Sequence, residues 1–200
     1  MTLPRITLRA TLVLVCLFSL PARAEERLAM PMFPTGWAES FARPGDQEIV
    51  EYVPPGQTAE NWQRKITLEI YHNLNNLPLD TFQRRAAARN REVCDGVVEG
   101  SFQSGVNNGF ASAFWTLGCE GNRITGKGEA RYTKIIQGAS GLYILSQVWR
   151  TPAYAKAKGG PNIPALEIEA AMAFLTSAVI CDADNPQHPC PDNPSRNANV

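Results

Sequence analysis

The sequence predicts a single α+β domain: a curved antiparallel sheet with two helices, stapled by disulfides. Three observations support this prediction: short alternating strands divided by turn residues, two segments with apolar residues at helical spacing, and four cysteines beyond the N-terminal segment. Strand runs joined by short turns pair antiparallel, which is typical of an α+β domain. We expect both helices to cover one face of the sheet.

Residues 1–24 have the pattern of a cleaved secretory signal peptide. Arg5 and Arg9 supply positive charge, residues 10–20 are apolar, and Ala22-Arg23-Ala24 supplies the small residues that signal peptidase reads. A buried N-terminal helix is the alternative, but no apolar stripe continues after Glu25. We therefore expect a periplasmic or secreted protein.

A membrane anchor is disfavoured by the same segment. Its apolar run is shorter than the roughly 20 residues that a spanning helix needs. Cys16 is preceded by Val15, whereas the residue before a lipidated cysteine is normally small. The mature chain is thus not expected to span a membrane.

The charge composition of the mature chain limits the classes of partner that it would attract. Removing residues 1–24 takes away three of the 19 basic residues and no acid, which leaves 16 against 19 acidic residues. Such a surface has no general attraction for nucleic acid or anionic lipid. We expect one domain over residues 25–181 and a Pro/Asn-rich C-terminal tail over residues 182–200.

The first half of the domain contains three predicted strands and a helix. Alternating apolar residues or strand-like composition indicate strands at Trp37–Ala42, Gln47–Val53 and Lys65–Tyr71. Residues 25–34 are interpreted as an extended lead-in. Pro78 begins a helix that runs to about Val93, with one narrow apolar stripe at helical spacing.

The second half contains four predicted strands and the last helix. The strands are expected at Gly96–Phe102, Phe110–Cys119, Ala130–Gln137 and Leu142–Arg150. Asn107-Asn108-Gly109 predicts a type I′ hairpin turn, because Asn-Gly supplies the positive φ values that this turn needs. Residues 152–164 form a loop. Pro164 starts the last helix, whose apolar face consists of Ile168, Ala171, Met172, Leu175 and Val179.

Four cysteines remain after the signal peptide is removed, an even number in an oxidising compartment, so two disulfides are the default. Three pairings are possible. We favour Cys94–Cys119, which would bracket a strand pair, and Cys181–Cys190, which would close a Pro-rich loop. A zinc site is the rival interpretation, but no C-x-x-C spacing occurs and His188 is the only nearby histidine. No metal or cofactor is predicted.

The most distinctive segment is residues 51–62, EYVPPGQTAENW. It resembles a Y-V-P-x-G-x-x-x-x-x-W signature of poorly characterised exported bacterial proteins of α+β fold. The resemblance covers about a tenth of the mature chain and implies no activity. We expect a structural role, in which a rigid turn fixes the strand exit and Trp62 packs against the sheet.

Candidate ligand-binding residues come from two groups. Arg85 and Arg89 lie four residues apart on one helical face, where they could grip a phosphate or carboxylate through bidentate hydrogen bonds, or form an ordinary solvated face. Phe114 and Trp115 are adjacent on a strand and point to opposite faces. Trp115 is therefore a candidate surface aromatic for binding, unless the sheet is covered on both sides.

Two classes of function remain open. The favoured one is an exported binding or accessory protein for an unknown protein or small molecule, because the sequence contains no catalytic motif such as G-x-S-x-G. The alternative is a periplasmic hydrolase that uses carboxylates such as Glu99 or Glu120 in acid–base chemistry.

Mass spectrometry of the protein purified from its native compartment tests the export prediction. The N-terminus is expected at or near Glu25, because the A-x-A site ends at Ala24. An intact Met1, or a lipid on Cys16, would contradict it.

Overall fold

The structure is a computed structural model that describes residues 26–191. The predicted signal peptide and residues 192–200 of the predicted tail lie outside the described residues. Within the described part, the elements in chain order are β1 (Arg27–Ala29), β2 (Ala38–Arg43), β3 (Gln47–Val53), β4 (Arg64–His72), α1 (Asp80–Val93), β5 (Val97–Glu99), β6 (Gln103–Asn107), β7 (Phe110–Cys119), β8 (Lys127–Gln137), β9 (Gly141–Pro152), a 3₁₀ turn (Lys156–Lys158), α2 (Ala165–Ser177) and β10 (Val179–Cys181). None of the helices in this range is both long and apolar enough to span a lipid bilayer.

One large antiparallel sheet dominates the fold. Its strand order is β2-β3-β4-β9-β8-β7-β5. The remaining strand, β6, pairs with the same edge of β7 as β5 does, at the other end of that strand. The centre of the sheet is β9, which pairs with β4 on one side and with β8 on the other. The α+β prediction, with its antiparallel sheet, two helices and two disulfides, is confirmed.

Several strand bounds agree with the alternation in the sequence, and one does not. The predicted strand Gly96–Phe102 is only three residues long in the structure, as β5, and a separate β6 follows it. Both pair with the same edge of β7, since Glu99 lies opposite Leu117 and Gln103 lies opposite Phe114. The β6–β7 turn is the predicted one, with positive φ at Asn108 and Gly109.

The two helices lie on opposite faces of the sheet, so the expectation that both cover one face is wrong. Trp115 belongs to the core cluster of Phe82 on α1. Its neighbour Phe114 packs with the cluster that contains Leu175 of α2. The physical reason is β9, whose residues 141–149 are all buried, so apolar side chains on both faces of the sheet require a cover.

The two ends of the domain meet on the α2 face. β1 and β10 form a two-stranded antiparallel sheet in which Leu28 lies opposite Ile180. Phe33, in the segment that the sequence indicates as an extended lead-in, stacks on Tyr52 at 4.2 Å between ring centroids. The Glu26 carboxylate accepts a hydrogen bond from the Ser140 hydroxyl at 2.9 Å. Residues 26–33, part of the predicted extended lead-in, therefore pack as part of the domain.

Both predicted disulfides are present. Cys94–Cys119 joins the end of α1 to the end of β7, and Cys181–Cys190 closes a loop after β10. The loop packs on the β6–β7 turn, where Asn108 Nδ2 donates to the carbonyls of Ile180 and Pro189. Two structural disulfides are typical of proteins outside the reducing cytoplasm.

The last helix docks through only part of the predicted apolar face. Ala171 and Leu175 are its buried residues, whereas Ile168 and Met172 are half-buried. The helix ends at Ser177, so Val179 belongs to β10. Because β10 must pair with β1, the chain leaves helical geometry before the apolar pattern ends.

A buried lysine caps this helix. Lys134 of β8 is 8% exposed, and its Nζ donates to the carbonyl oxygens of Thr176 and Ala178 at 3.0 and 2.6 Å. The end of a helix leaves carbonyls without intrahelical partners, and a cation there also interacts favourably with the helix dipole. Burial lowers the pKa of Lys134 to about 8.

The Leu175→Ala substitution tests the docking of α2. Leu175 is 1% exposed, so truncation should lower the free energy of unfolding by roughly 2–5 kcal/mol through lost burial and a cavity. Glu169→Ala, at an exposed position of the same helix, should change it by less than about 0.5 kcal/mol. Equal denaturation midpoints would contradict the packing described here.

The pH dependence of stability tests Lys134. The pKa of Lys134 is about 8 in the folded protein and about 10.4 in an unfolded chain. Between these two pH values the unfolded chain keeps the lysine proton while the folded chain loses it. Stability should therefore rise with pH between about pH 8 and about pH 10.4, by up to about 1 kcal/mol per pH unit. Lys134→Met should remove this rise, and Lys127→Met, at an exposed position of the same strand, should keep it. A parallel pH profile for wild type and Lys134→Met would contradict the assignment.

Candidate functional site

A row of polar side chains crosses the α1 face of the sheet. Strand register makes its members neighbours on β3, β4, β9, β8 and β7, and we call them the polar row: Glu51, Thr67, Ser146, Thr133 and Trp115. The neighbouring row on one side contains Ile144 and Ile135, and the row on the other side contains Val148. Polar groups therefore interrupt a face that is otherwise largely apolar at its centre.

Four members of the polar row are almost fully buried. Thr67, Ser146, Thr133 and Trp115 are 4%, 0%, 2% and 3% exposed. The two central hydroxyls, of Thr133 and Ser146, hydrogen-bond to each other at 3.0 Å. Thr67 Oγ1 and Trp115 Nε1 are buried without a hydrogen-bond partner among the described residues. They are two of six such buried side-chain atoms among the described residues, so the row is only partly satisfied by its own hydrogen bonds.

Glu69 lies beside the row and is the centre of a hydrogen-bond network. Its Oε2 accepts from Gln47 Nε2 at 3.1 Å and from the Tyr71 hydroxyl at 3.3 Å. Gln47 Nε2 also donates to the Tyr71 oxygen at 2.7 Å. The other carboxylate oxygen, Oε1, faces Arg131 Nη1 at 3.9 Å, which is an ion pair without a hydrogen bond.

The Arg131–Glu69 pair crosses over Ser146. Arg131 is on β8 and Glu69 is on β4, and both strands flank β9. Arg131 lies opposite Val148 and Glu69 lies opposite Ile144, so the two residues are one step to either side of Ser146. A line between them passes over the middle of the polar row. Their side chains are 34% and 18% exposed, so the pair is partly accessible to solvent, unlike the buried row beside it.

Two further arginines act on this network. Burial raises the pKa of Tyr71, the negative charge of Glu69 raises it further, and the positive charges of Arg89 and Arg43 oppose the rise. Arg43 also donates to Gln47 Oε1 at 3.2 Å. Guanidinium groups of Arg43 on β2 and Arg131 on β8 thus lie against the Glu69 network, and the charge of Arg89 on α1 acts on its Tyr71.

At the Glu51 end of the row, two cations lie against the Trp62 rings. Lys65 Nζ is 4.5 Å and Arg150 Cζ is 3.9 Å from the centre of its rings. Lys65 also forms an ion pair with Glu51 at 2.5 Å. Cations on an aromatic face are held by its quadrupole, so Trp62 orders the charged side chains beside the row.

The signature segment supplies this tryptophan. Pro54-Pro55-Gly56 forms a turn in which Gln57 N donates to the Pro54 carbonyl at 3.2 Å, and Gly56 has the positive φ that its position needs. Gln57 Oε1 then accepts from the backbone N–H groups of Gln63 and Arg64. Trp62 is 5% exposed and packs with Val53 and Val148. The segment therefore links the exit of β3 to the entry of β4.

The candidate ligand-binding residues predicted from the sequence lie in different surroundings in the structure. Arg85 and Arg89 are exposed on α1, and within the described range neither guanidinium has a hydrogen bond. Arg89 belongs to the surroundings of Tyr71. Trp115 is buried beneath Phe102, with ring centroids 6.0 Å apart, so it is not a surface aromatic. The reason is that α1 covers its face, while the opposite face is covered by α2.

The two acids considered for a hydrolase do not form a pair. Glu99 forms an ion pair with Arg91. Glu120 accepts a hydrogen bond from the backbone N–H of Lys156 at 2.5 Å. No group of three metal-binding side chains occurs within residues 26–191.

The residues that sequence reasoning missed are Thr67, Glu69 and Arg131. Alternation does reveal that Thr67 and Glu69 share one side of a strand, but a polar side is normally solvated. Only the pairing of β4, β9 and β8 shows that these residues meet over a buried surface. Comparison with known proteins adds no assignment, since neither a family model nor a curated protein matches the chain.

Proposed function

We propose that this is an exported binding or accessory protein, without chemistry of its own, that takes an anionic ligand between Arg89 and Arg131. The observation that carries the proposal is the state of the Arg131 guanidinium. It is one-third exposed, its nearest carboxylate oxygen is 3.9 Å away, and among the residues that the structure describes it has no hydrogen bond. A guanidinium offers five N–H donors in a fork that matches a carboxylate or phosphate.

The charge balance supports an anion. Arg43, Arg89 and Arg131 surround the Glu69 network, whose other members, Gln47 and Tyr71, are neutral. Within this network Glu69 is the one carboxylate, and three arginines act on its members. An incoming anion gains attraction from the two guanidinium groups that Glu69 leaves without a close contact.

Export is supported by the N-terminal sequence pattern and by the two disulfides. A binding role is favoured over a hydrolase because Glu99 and Glu120 are each engaged in a separate structural contact. Acid–base hydrolysis by two carboxylates requires both to face one bond at a defined separation.

An NMR titration of the mature protein with acetate and with inorganic phosphate tests the proposal. Either anion should shift the backbone amides of β4 and β8 next to Glu69 and Arg131. Arg131→Gln should weaken binding about 10-fold or more, because it removes a charge-assisted hydrogen bond. Arg89→Gln should weaken it in the same direction.

Arg84→Gln is the matched control. Arg84 is also exposed on α1, but it is already paired with Asp80 and it is not part of the Tyr71 surroundings. Its substitution should leave the titration unchanged. Equal affinity in wild type and Arg131→Gln, or no shift with either anion, would overturn the proposed site.

A further inference from the structure

The strand β6 forms an exposed edge of the large sheet. It pairs with β7 on one side only, and residues 103–106 are exposed, with Val106 at 77%. An edge strand presents unpaired backbone N–H and C=O groups, and natural proteins block such edges with charges, prolines or bulges. β6 has none of these features, because residues 101–119 contain no charged residue and no proline, and its register against β7 is regular.

The other strands at the edges of this sheet are protected. At the opposite edge, β2 carries Glu39 and Arg43, and its pairing with β3 is shifted by a bulge between Glu39 and Phe41. Beside β6 on the β7 edge, the short strand β5 carries the charged residue Glu99. Within the described part of the chain, the unprotected edge of the large sheet is therefore β6.

The hairpin turn determines which backbone groups of β6 face outward. The turn has two residues, both with positive φ, and such a turn closes with a hydrogen-bonded pair, here Asn107 and Phe110. Hydrogen-bonded pairs alternate along an antiparallel ladder. Gly105, two residues before Asn107, therefore bonds to β7, whereas the N–H and C=O groups of Ser104 and Val106 point away from it.

Gly105 lies at the centre of β6, and the fold of a single chain does not account for a glycine there. Its φ is outside the left-handed region, and a Cβ added to it would meet nothing within 4 Å. A glycine inside a strand marks a bulge, a tight bend or the close approach of another backbone. Because the pairing with β7 runs through Gly105 without a break, the approach of another backbone is the explanation that fits.

We propose that β6 pairs with β6 of a second copy of this chain, antiparallel and about a two-fold axis at Gly105. The outward groups of Ser104 then bond to those of Val106 in the second copy, and the symmetry repeats this pair on the other side of the axis. The two Gly105 residues form the pair that is not hydrogen-bonded, in which opposed Cα atoms are about 4.5 Å apart. The backbones thus come closest where the chain has no side chain.

The side chains of β6 are complementary to themselves in this register. Gln103 lies opposite Asn107 of the second copy, so two amide groups that can both donate and accept hydrogen bonds face each other. Ser104 lies opposite Val106, and no charge is brought against a like charge. A two-fold contact requires a patch that matches itself, and an uncharged strand with a central glycine meets this requirement.

Sedimentation equilibrium of the mature protein, from about 1 μM to about 1 mM, tests the proposal. A contact through one strand of five residues is smaller than a stable interface, so we expect a reversible dimer that dissociates on dilution. Amide exchange measured by NMR gives a second readout. The N–H groups of Ser104 and Val106 should be protected only where the dimer is populated, whereas the N–H group of Gly105, which faces β7, should be protected at every concentration.

Charge variants at residue 105 test the position of the axis. Gly105→Lys and Gly105→Glu have room for the new side chain within one chain, but each places like charges opposite each other in the dimer. Each variant should weaken the dimer at least about 10-fold, and an equimolar mixture of the two should restore association as a heterodimer. Ala42→Lys, at an exposed position of β2, is the matched control and should dimerise as the wild type does.

A monomer at every concentration would overturn the proposal. A wild-type dimer that Gly105→Lys leaves unchanged would also overturn it, because the contact would then lie elsewhere. The same holds if the mixture of the lysine and glutamate variants associates no more than either variant alone. Oligomers that grow beyond two copies would exclude pairing about a two-fold axis.

Discussion

The burial of β9 on both faces is the constraint on which the rest of the structure depends. Residues 141–149 are all buried, and β9 is hydrogen-bonded along its length to β4 and β8. A strand in this position needs a cover on each side. α1 covers one face through Phe82, and α2 covers the other through Leu175. The small β1–β10 sheet completes the second cover, which is why both ends of the domain return to the same surface.

The local sequence pattern is sufficient to predict the bounds of long strands such as β3 and β7, but it does not predict the short strands β1 and β10. The bounds of β3 and β7 follow directly from the sequence, because clean alternation and a strong Asn-Gly turn define them. β1 and β10 have three residues each, and their pairing joins positions about 150 residues apart. Such short strands form only because the rest of the domain brings them together, so the local sequence contains no pattern that predicts them.

The same distinction applies to the candidate site. Arg89 could be selected from the sequence because its chemistry and helical spacing are visible there. Thr67 and Arg131 could not, because their meaning depends on which strands lie next to β9. Trp115 was selected for exposure and is buried, yet its indole N–H ends the polar row. Its burial follows from strand pairing and from the position of α1, which no local pattern shows.

Ser146 is a buried polar residue in an apolar neighbourhood. On its face of β9 it stands between Ile144 and Val148, both buried and apolar. An apolar residue at this position would continue the core and remove the need for Thr133 as its hydrogen-bond partner. Within the described residues the two hydroxyls satisfy each other inside an apolar core, so the pair fixes the register of β8 against β9 without leaving a buried polar group unpaired.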